Sequence, residues 1–529
     1  MRFVRVSSIF FGSCLVAGNL ASGSESGTSL HEIAVQESMV PIRPGELGKS
    51  PFWNGSARQF TTVPAFDFKP IAGSTGYRFV LEDGTTSHTF ESNAPWATLQ
   101  PVWDQLSAGL TTVTVEALVK PHGRPIGLAG QRAFHRATVF NGPYGKPILP
   151  YAESARVALD GILREPFVQN WFATGEPDTS YPLYRYSSKV IGSLLTATAL
   201  YVTQKPRPAD ADQALKIGSR AADYLISCSL PLGSPLAHCP PTYNRAPTTE
   251  RENDNWSMLI SPAEAGNGFL NLYEVTTEPR YLAAARHCAD AYQRTQLTSG
   301  TWWLKIDNRT GKPLAPIELI PSNPILFLDR MIRIYGDTRY QATRDRAIEW
   351  MMRNPVRTFN WQAQFDDAKL RGAYENLGKH EACEFANYLF DLPGSDTAQL
   401  ALAEELLRFA EDQFVTWENP PQLKLRSQNL KPEFWILPCS LEQYAMFEPI
   451  SGSSAFMIMT YVRAYRVTGK PLYIAKAESL ANALTVAQHM HNGRYPTRMV
   501  PQDLAYWVNS SVNCVRAMQM LAAARDGKQ

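Results

Sequence analysis

The sequence predicts a mainly α-helical protein, an (α/α)6 toroid carrying an N-terminal β-sandwich. Three observations lead there. Between Gln59 and Asn141, short runs of alternating polar and apolar residues are separated by Gly, Pro and Asp turns, the pattern of half-buried strands. From Tyr151 onward a helical hairpin recurs. Each copy ends one helix in Leu/Ile/Ala-Tyr and starts the next from a Tyr, with Ala every three or four residues. The helices then sort into six inner and six outer ones, enough to close a double ring.

In chain order, residues 1–23 read as a secretory leader. Arg2 and Arg5 precede an apolar run at 9–17 and a small-residue exit, which predicts a secreted or periplasmic protein. Cys14 lies in Phe-Gly-Ser-Cys, a poor lipoprotein cleavage box, so lipid anchoring is the weaker expectation. No later run reaches the roughly 20 apolar residues of a membrane span. Residues 24–57 are polar with scattered Pro and Gly and are expected to be extended. Strands are expected at 60–63, 77–81, 87–90, 110–119 and 133–140, within a module at 58–145.

The clearest hairpin copies centre on Asn271-Leu-Tyr-Glu-Val-Thr, Arg333-Ile-Tyr-Gly-Asp-Thr and Arg463-Ala-Tyr-Arg-Val-Thr, with a shorter one at Ala199-Leu-Tyr-Val-Thr. Inner helices are expected near 187–203, 262–275, 322–335, 377–390, 452–467 and 504–525. Outer ones are expected near 209–227, 278–295, 337–354, 396–417 and 470–490, with 152–165 closing a ring that spans 150–525. A superhelical scaffold of tetratricopeptide type is the alternative, and the long uneven loops argue against it, since solenoid repeats keep a fixed period.

Composition narrows the function. With 529 residues, 44% hydrophobic and 19% charged, the chain is globular and long enough for two domains. Its 12 Trp, 22 Tyr and 24 Phe suit stacking on sugar faces as well as a large core. Removing Arg2 and Arg5 from 51 basic residues leaves 49 against 49 acidic ones, so no basic excess marks a nucleic-acid or membrane partner. Beyond the leader, Cys228, Cys239, Cys288, Cys383, Cys439 and Cys514 form no CxxC pair, so neither a metal nor a cofactor is expected. Cys228 and Cys239 flank a Pro-rich loop, where a local disulfide is expected in an exported protein.

The run Pro64-Ala-Phe-Asp-Phe-Lys-Pro-Ile-Ala-Gly-Ser-Thr-Gly-Tyr resembles the opening of fibronectin type III-like modules of extracellular carbohydrate enzymes. The hairpin repeat, the aromatic insert Gly-Thr-Trp-Trp-Leu-Lys-Ile-Asp-Asn-Arg-Thr-Gly-Lys-Pro at 300–313 and Asn492-Gly-Arg-Tyr-Pro-Thr resemble the six-hairpin toroid superfamily of glycosidases, sugar epimerases and polysaccharide lyases. That resemblance implies a sugar cleft at the starts of the inner helices. The loops there hold Tyr184, Arg185, Asn255, Trp256, Glu264, Asn323, Arg426, Glu442 and Tyr444 as candidate substrate contacts.

The densest polar stretch is 361–389. It carries Trp361, Asp366, Asp367, Arg371, Tyr374, Asn376, His380 and Glu381, and the spacing predicts that Asn376, His380, Glu384 and Asn387 share one helical face. Two chemistries fit. Hydrolysis of a glycosidic bond needs two carboxyl groups, for which Glu264, Glu381, Glu442, Asp366 and Asp367 are candidates. β-Elimination from a uronic acid polymer such as alginate needs a neutralised substrate carboxylate, a base for the C5 proton and an acid for the leaving oxygen. Arg371 and Asn376 as neutralisers, with Tyr374 and His380 as base and acid and Glu264 in support, meet that demand, so a polysaccharide lyase is the favoured expectation. A non-catalytic glycan-binding surface protein is the alternative of another class. The structural readings of the same residues are a helix-face histidine at 380 and a turn at Asp366-Asp367.

Overall fold

The computed structural model describes residues 28–42, 53–84, 86–244, 255–365, 371–422 and 430–527. The expected leader, Asp366, Asp367 and Arg426 lie outside the described residues. The lead-in is not wholly extended, because it contains helix α1 (Leu30–Ser38). Ser29 accepts from the Glu32 N–H while Glu32 accepts from the Ser29 N–H, a reciprocal cap whose Ser-x-x-Glu signal stands in the sequence.

The module that follows contains β1 (Gln59–Phe60), β2 (Ala65–Asp67), β3 (Gly76–Asp83), β4 (Thr86–Ser92), β5 (Trp96–Thr98), β6 (Gly109–Leu118) and β7 (Pro125–Arg136). Five strands form one sheet in the order β1-β7-β6-β3-β4, with β1 parallel to β7 and the other pairs antiparallel. Alternation decides its faces: Phe79 and Leu81 on β3 and Val113 and Val115 on β6 are fully buried. Instead of a full second sheet there is a two-stranded β2–β5 ribbon, whose Phe66 packs edge-on against Phe60 and Phe134. The last strand begins and ends earlier than its expected span.

The remaining elements, in order, are α2 (Tyr151–Arg164), α3 (Pro166–Thr174), α4 (Ser187–Thr203), α5 (Pro208–Ser227), β8 (Trp256–Met258), α6 (Ser261–Thr276), α7 (Pro279–Thr295), β9 (Lys305–Asp307), α8 (Ser322–Tyr335), α9 (Gln341–Arg353), the single turn α10 (Pro355–Thr358), α11 (His380–Phe390), α12 (Thr397–Phe414), β10 (Val415–Thr416), β11 (Cys439–Ser440), α13 (Ser451–Thr468), α14 (Pro471–Met490) and α15 (Val508–Arg525). The inner helices contact one another in the cycle α4, α6, α8, α11, α13, α15 and back to α4, and their outer partners are α5, α7, α9, α12, α14 and α2. The ring is closed by α2, which follows the β-module, packing on α15.

Helices α4 and α8 occupy their predicted spans to the residue, and α11 does not. The segment before α11 is held extended, with Ala363 N–H donating to Asn376 O and Gly378 N–H donating to Trp361 O. Asn376 is therefore off the helix. Helix α4 meets α6 through glycines: a Cβ on Gly268 would stand 2.6 Å from Gly192 O, closer than a side chain tolerates. The Cys228–Cys239 disulfide does not form. Cys228 Sγ donates to Leu225 O, and buried Cys239 turns toward the His287 carbonyl.

Polar contacts join the module to the ring. Asp412 Oδ1 on α12 accepts from the Thr61 and Thr62 N–H groups at 2.7 and 2.6 Å. Gln59 Nε2 donates to Val415 O, and a His135 ring nitrogen lies 2.9 Å from Asn419 O.

Candidate active site

The loops leading into α4, α11, α13 and α15 converge on a mouth cavity of about 120 Å³, whose walls include Tyr186, Lys189, Phe365, His380, Glu442 and Trp507. Below it a bore of about 600 Å³ follows the inner helices, and Lys189, His380, Phe456, Asn509 and Asn513 line both spaces. A cavity of similar size, about 580 Å³, opens at the far end of α4, between α2 and α5. It holds exposed pairs such as Arg207–Asp210 and lies away from the mouth loops.

His380 is the first residue of α11, and its ring is wedged between Phe456, 3.8 Å centroid to centroid, and the edge of Phe365 at 6.1 Å. Its Nε2 lies 3.7 Å from Glu384 Oε1, one turn on, while 30% of its side chain stays open to the cavity. Glu384 is held in turn, accepting from Ser322 Oγ at 2.7 Å and Asn323 Nδ2 at 3.0 Å. Burial, with the ammonium groups of Lys379 and Lys189, pushes His380 down to about 3, so the imidazole is neutral at physiological pH. Burial raises Glu384 above the usual carboxylate range.

Tyr186 closes the α4 side of the mouth. Arg185 Nη2 donates to its hydroxyl at 2.6 Å, and Lys189 Nζ lies 6.0 Å from its ring centre. A phenol beside two cations and a neutral imidazole therefore share one small cavity. Glu442 adds a carboxyl, and Lys379, buried and pushed down to about 8, ties the Glu442 loop by donating to the Leu441 and Glu442 carbonyls. Proton transfer, carboxylate binding and carboxyl chemistry are all within this donor set.

Of the residues singled out in the sequence, His380, Glu384, Asn387, Glu264, Asn323 and Glu442 line the mouth or the bore, and Arg185 reaches it through Tyr186. The others are placed elsewhere. Tyr374, in the left-handed region at φ 63°, donates its hydroxyl to Thr358 O. Asn376 is buried, with Nδ2 donating to Gln443 Oε1 and Oδ1 accepting from Ala445 N–H, which pins two loops together. Arg371 is exposed, outside the walls of both cavities. Tyr184, Trp361 and Tyr444 are core residues: Tyr184 accepts from Trp171 Nε1, Tyr444 donates to Gln413 Oε1, and Trp361 is fully buried. Asn255 and Trp256 sit at β8, paired with β9. Glu381 is buried outside both linings, accepting from Gln364 N–H, and burial pushes it up to about 8.

The sequence reading found one stripe of the bore, His380, Glu384 and Asn387 on α11, but not the bore itself. Its full signal is the same spacing, four then three, repeated on three inner helices: Asn267, Asn271 and Glu274 on α6, His380, Glu384 and Asn387 on α11, Asn509, Asn513 and Arg516 on α15. In a ring the apolar majority faces outward to the second layer, so the polar minority marks the inside.

No protein family and no curated protein sequence matches the chain. Among solved structures it is similar to a D-mannose isomerase, at 10% identity and a TM-score of 0.51 over 71% of this chain and 99% of that one. It is also similar to a family 76 glycoside hydrolase from a bovine Bacteroides thetaiotaomicron strain, at 10% identity and a TM-score of 0.47 over 88% and 97%. A polysaccharide lyase aligns at 11% identity and a TM-score of 0.44, over 88% of this chain and 65% of that one. These neighbours act on carbohydrates, and at such identities the likeness speaks for the helical-hairpin fold alone.

Proposed function

We propose that the protein is a carbohydrate-active enzyme that cleaves a uronic-acid-containing polysaccharide by β-elimination at the mouth of the toroid. The observation that carries this reading is the pairing of neutral His380 with cation-flanked Tyr186 in one cavity. Lys189 supplies the positive charge that neutralises the substrate carboxylate and makes the C5 proton acidic. His380 takes that proton, and the arriving carboxylate offsets the two ammonium groups that otherwise disfavour its protonation. Tyr186 gives its proton to the leaving oxygen, and the phenolate so formed is held by Arg185 and Lys189. The phenol expected at Tyr374 is thus taken as Tyr186, and the neutralising cation expected at Arg371 as Lys189.

We read the β-module as a fibronectin type III-like spacer without catalysis, and the chain as exported, on the strength of its leader-like start. The test is incubation with alginate, glucuronan, pectate and glycosaminoglycans while ultraviolet absorbance is followed. An absorbing unsaturated product supports elimination. Sugar release without one overturns it in favour of hydrolysis, a second reading favoured by the carboxyls of Glu442 at the mouth and Glu264 in the bore.

A further inference from the structure

Below His380 the bore is lined by polar groups, one of them a guanidinium that no described residue pairs with. Arg516, two turns along α15 from Asn509, projects into it, and no hydrogen bond or ion pair to its guanidinium occurs among the described residues. The other guanidiniums of the bore are engaged: Arg330 donates to Asn267, Asn271 and Glu274, and Arg463 to Asp391. Burial, then Arg463 and Arg330, push Arg516 down to about 10, with Glu384 the opposing charge. Glu384 spends its oxygens on Ser322 and Asn323. Asn323 and Asn387 line the same space, but their Oδ1 atoms are closed off from it and accept nothing.

We propose that the bore is a binding site for an acidic sugar unit, whose carboxylate or sulfate group Arg516 holds. A planar guanidinium with no partner among the described residues, exposed to the bore among other cations, is matched by a bidentate anion. The site is continuous with the mouth through His380 and Asn513, so the sugar it holds adjoins the reacting one. This inference rests on the carbohydrate reading of the mouth.

The test is calorimetric titration of the full chain with galacturonate, with galactose as its neutral counterpart, and with inorganic sulfate as competitor. Galacturonate is expected to bind and galactose to bind at least tenfold more weakly. Arg516→Gln is expected to lose about ten- to a hundredfold in galacturonate affinity, and Arg516→Lys less. Sulfate that displaces galacturonate extends the ligand class to sulfated sugars, and sulfate that does not restricts it to uronates. Equal binding of galactose and galacturonate by the unaltered protein overturns the proposal, even where Arg516→Gln fails to fold. Unchanged affinity in a folded Arg516→Gln protein overturns it too. Arg516-dependent binding without any turnover leaves this site standing and sinks β-elimination, whereas turnover with an unaltered KM in Arg516→Gln does the reverse.

Discussion

The bore and the junction between β-module and ring both hold polar side chains, and they differ in what those side chains face. At the junction they face one another: Asp412 accepts from two backbone N–H groups and from Gln413 Nε2, Gln413 also donates to Gln59 O, and Tyr444 donates back to Gln413, while Gln59 Oε1 and Thr61 Oγ1 are closed in without a partner. In the bore the Arg516 guanidinium is exposed to open volume with no partner among the described residues. Burial, and even an unmet buried group, is common to both and does not mark a site. A charged group open to a cavity does.

The strongest way to break this contrast is His380→Ala. It is expected to lower turnover by about 10²–10⁴-fold, the range for removing a general base, with the melting temperature nearly unchanged. A variant that keeps full activity moves the chemistry out of the mouth. Asp412→Ala should do the converse. It leaves the buried Thr61 and Thr62 N–H groups without their acceptor and is expected to cost about 2–4 kcal/mol by denaturant titration, with turnover per folded molecule unchanged. Gly268→Ala drives a methyl against Gly192 O and is expected to cost about 1–3 kcal/mol.

A pH titration sharpens the same comparison. Burial pushes His135 at the junction down to about 4, with the Asn419 carbonyl opposing. The unfolded chain then binds a proton first as pH falls. The contribution of neutral His135 to stability is complete above about pH 6.5 and is lost between there and about pH 4. Glu381, raised to about 8, works in the opposite sense, favouring the native state at low pH and losing that as pH climbs toward 8. His135→Asn is expected to flatten the acid limb by about 1–2 kcal/mol between pH 6.5 and 4, read from melting temperatures. A limb of unchanged slope removes His135 as its cause. The smallest effect is expected of Tyr374→Phe, which removes one half-exposed hydrogen bond to Thr358 O. It should cost about 0.5–1.5 kcal/mol and leave turnover within about twofold. A large loss of turnover would return Tyr374 to the chemistry.

These contrasts also explain what was legible beforehand. The helical ring could be read because its hairpins repeat a local code, a Tyr-ended helix, a tight turn and an Ala-spaced return, and α4 and α8 follow it to the residue. His380, Glu264, Asn323 and Glu442 were legible because loops before inner helices must meet. Tyr374, Asn376, Tyr184, Trp361 and Tyr444 were misplaced because crowding of polar and aromatic residues says nothing about which way each side chain turns. Asn376 looked helical through a spacing of four, yet the extended pairing of its backbone with Ala363 takes it off α11. Arg516 was missed because one helix face was read, that of α11, and the matching face of α15 carries the same spacing without a histidine to draw attention to it.

Ring closure by α2 and α15 also orders events in time. Helix α15 is the last of the ring to leave the ribosome, and it brings Asn509, Asn513 and Arg516 with it. Until it docks, the faces of α2, α4 and α13 that it covers lie bare and the ring has a gap. Domains assemble from their N-terminal side during synthesis, so the nascent chain holds five of the six inner helices and no finished bore. Completion of the bore and closure of the core arrive in one step. A chain interrupted within α15 loses both together.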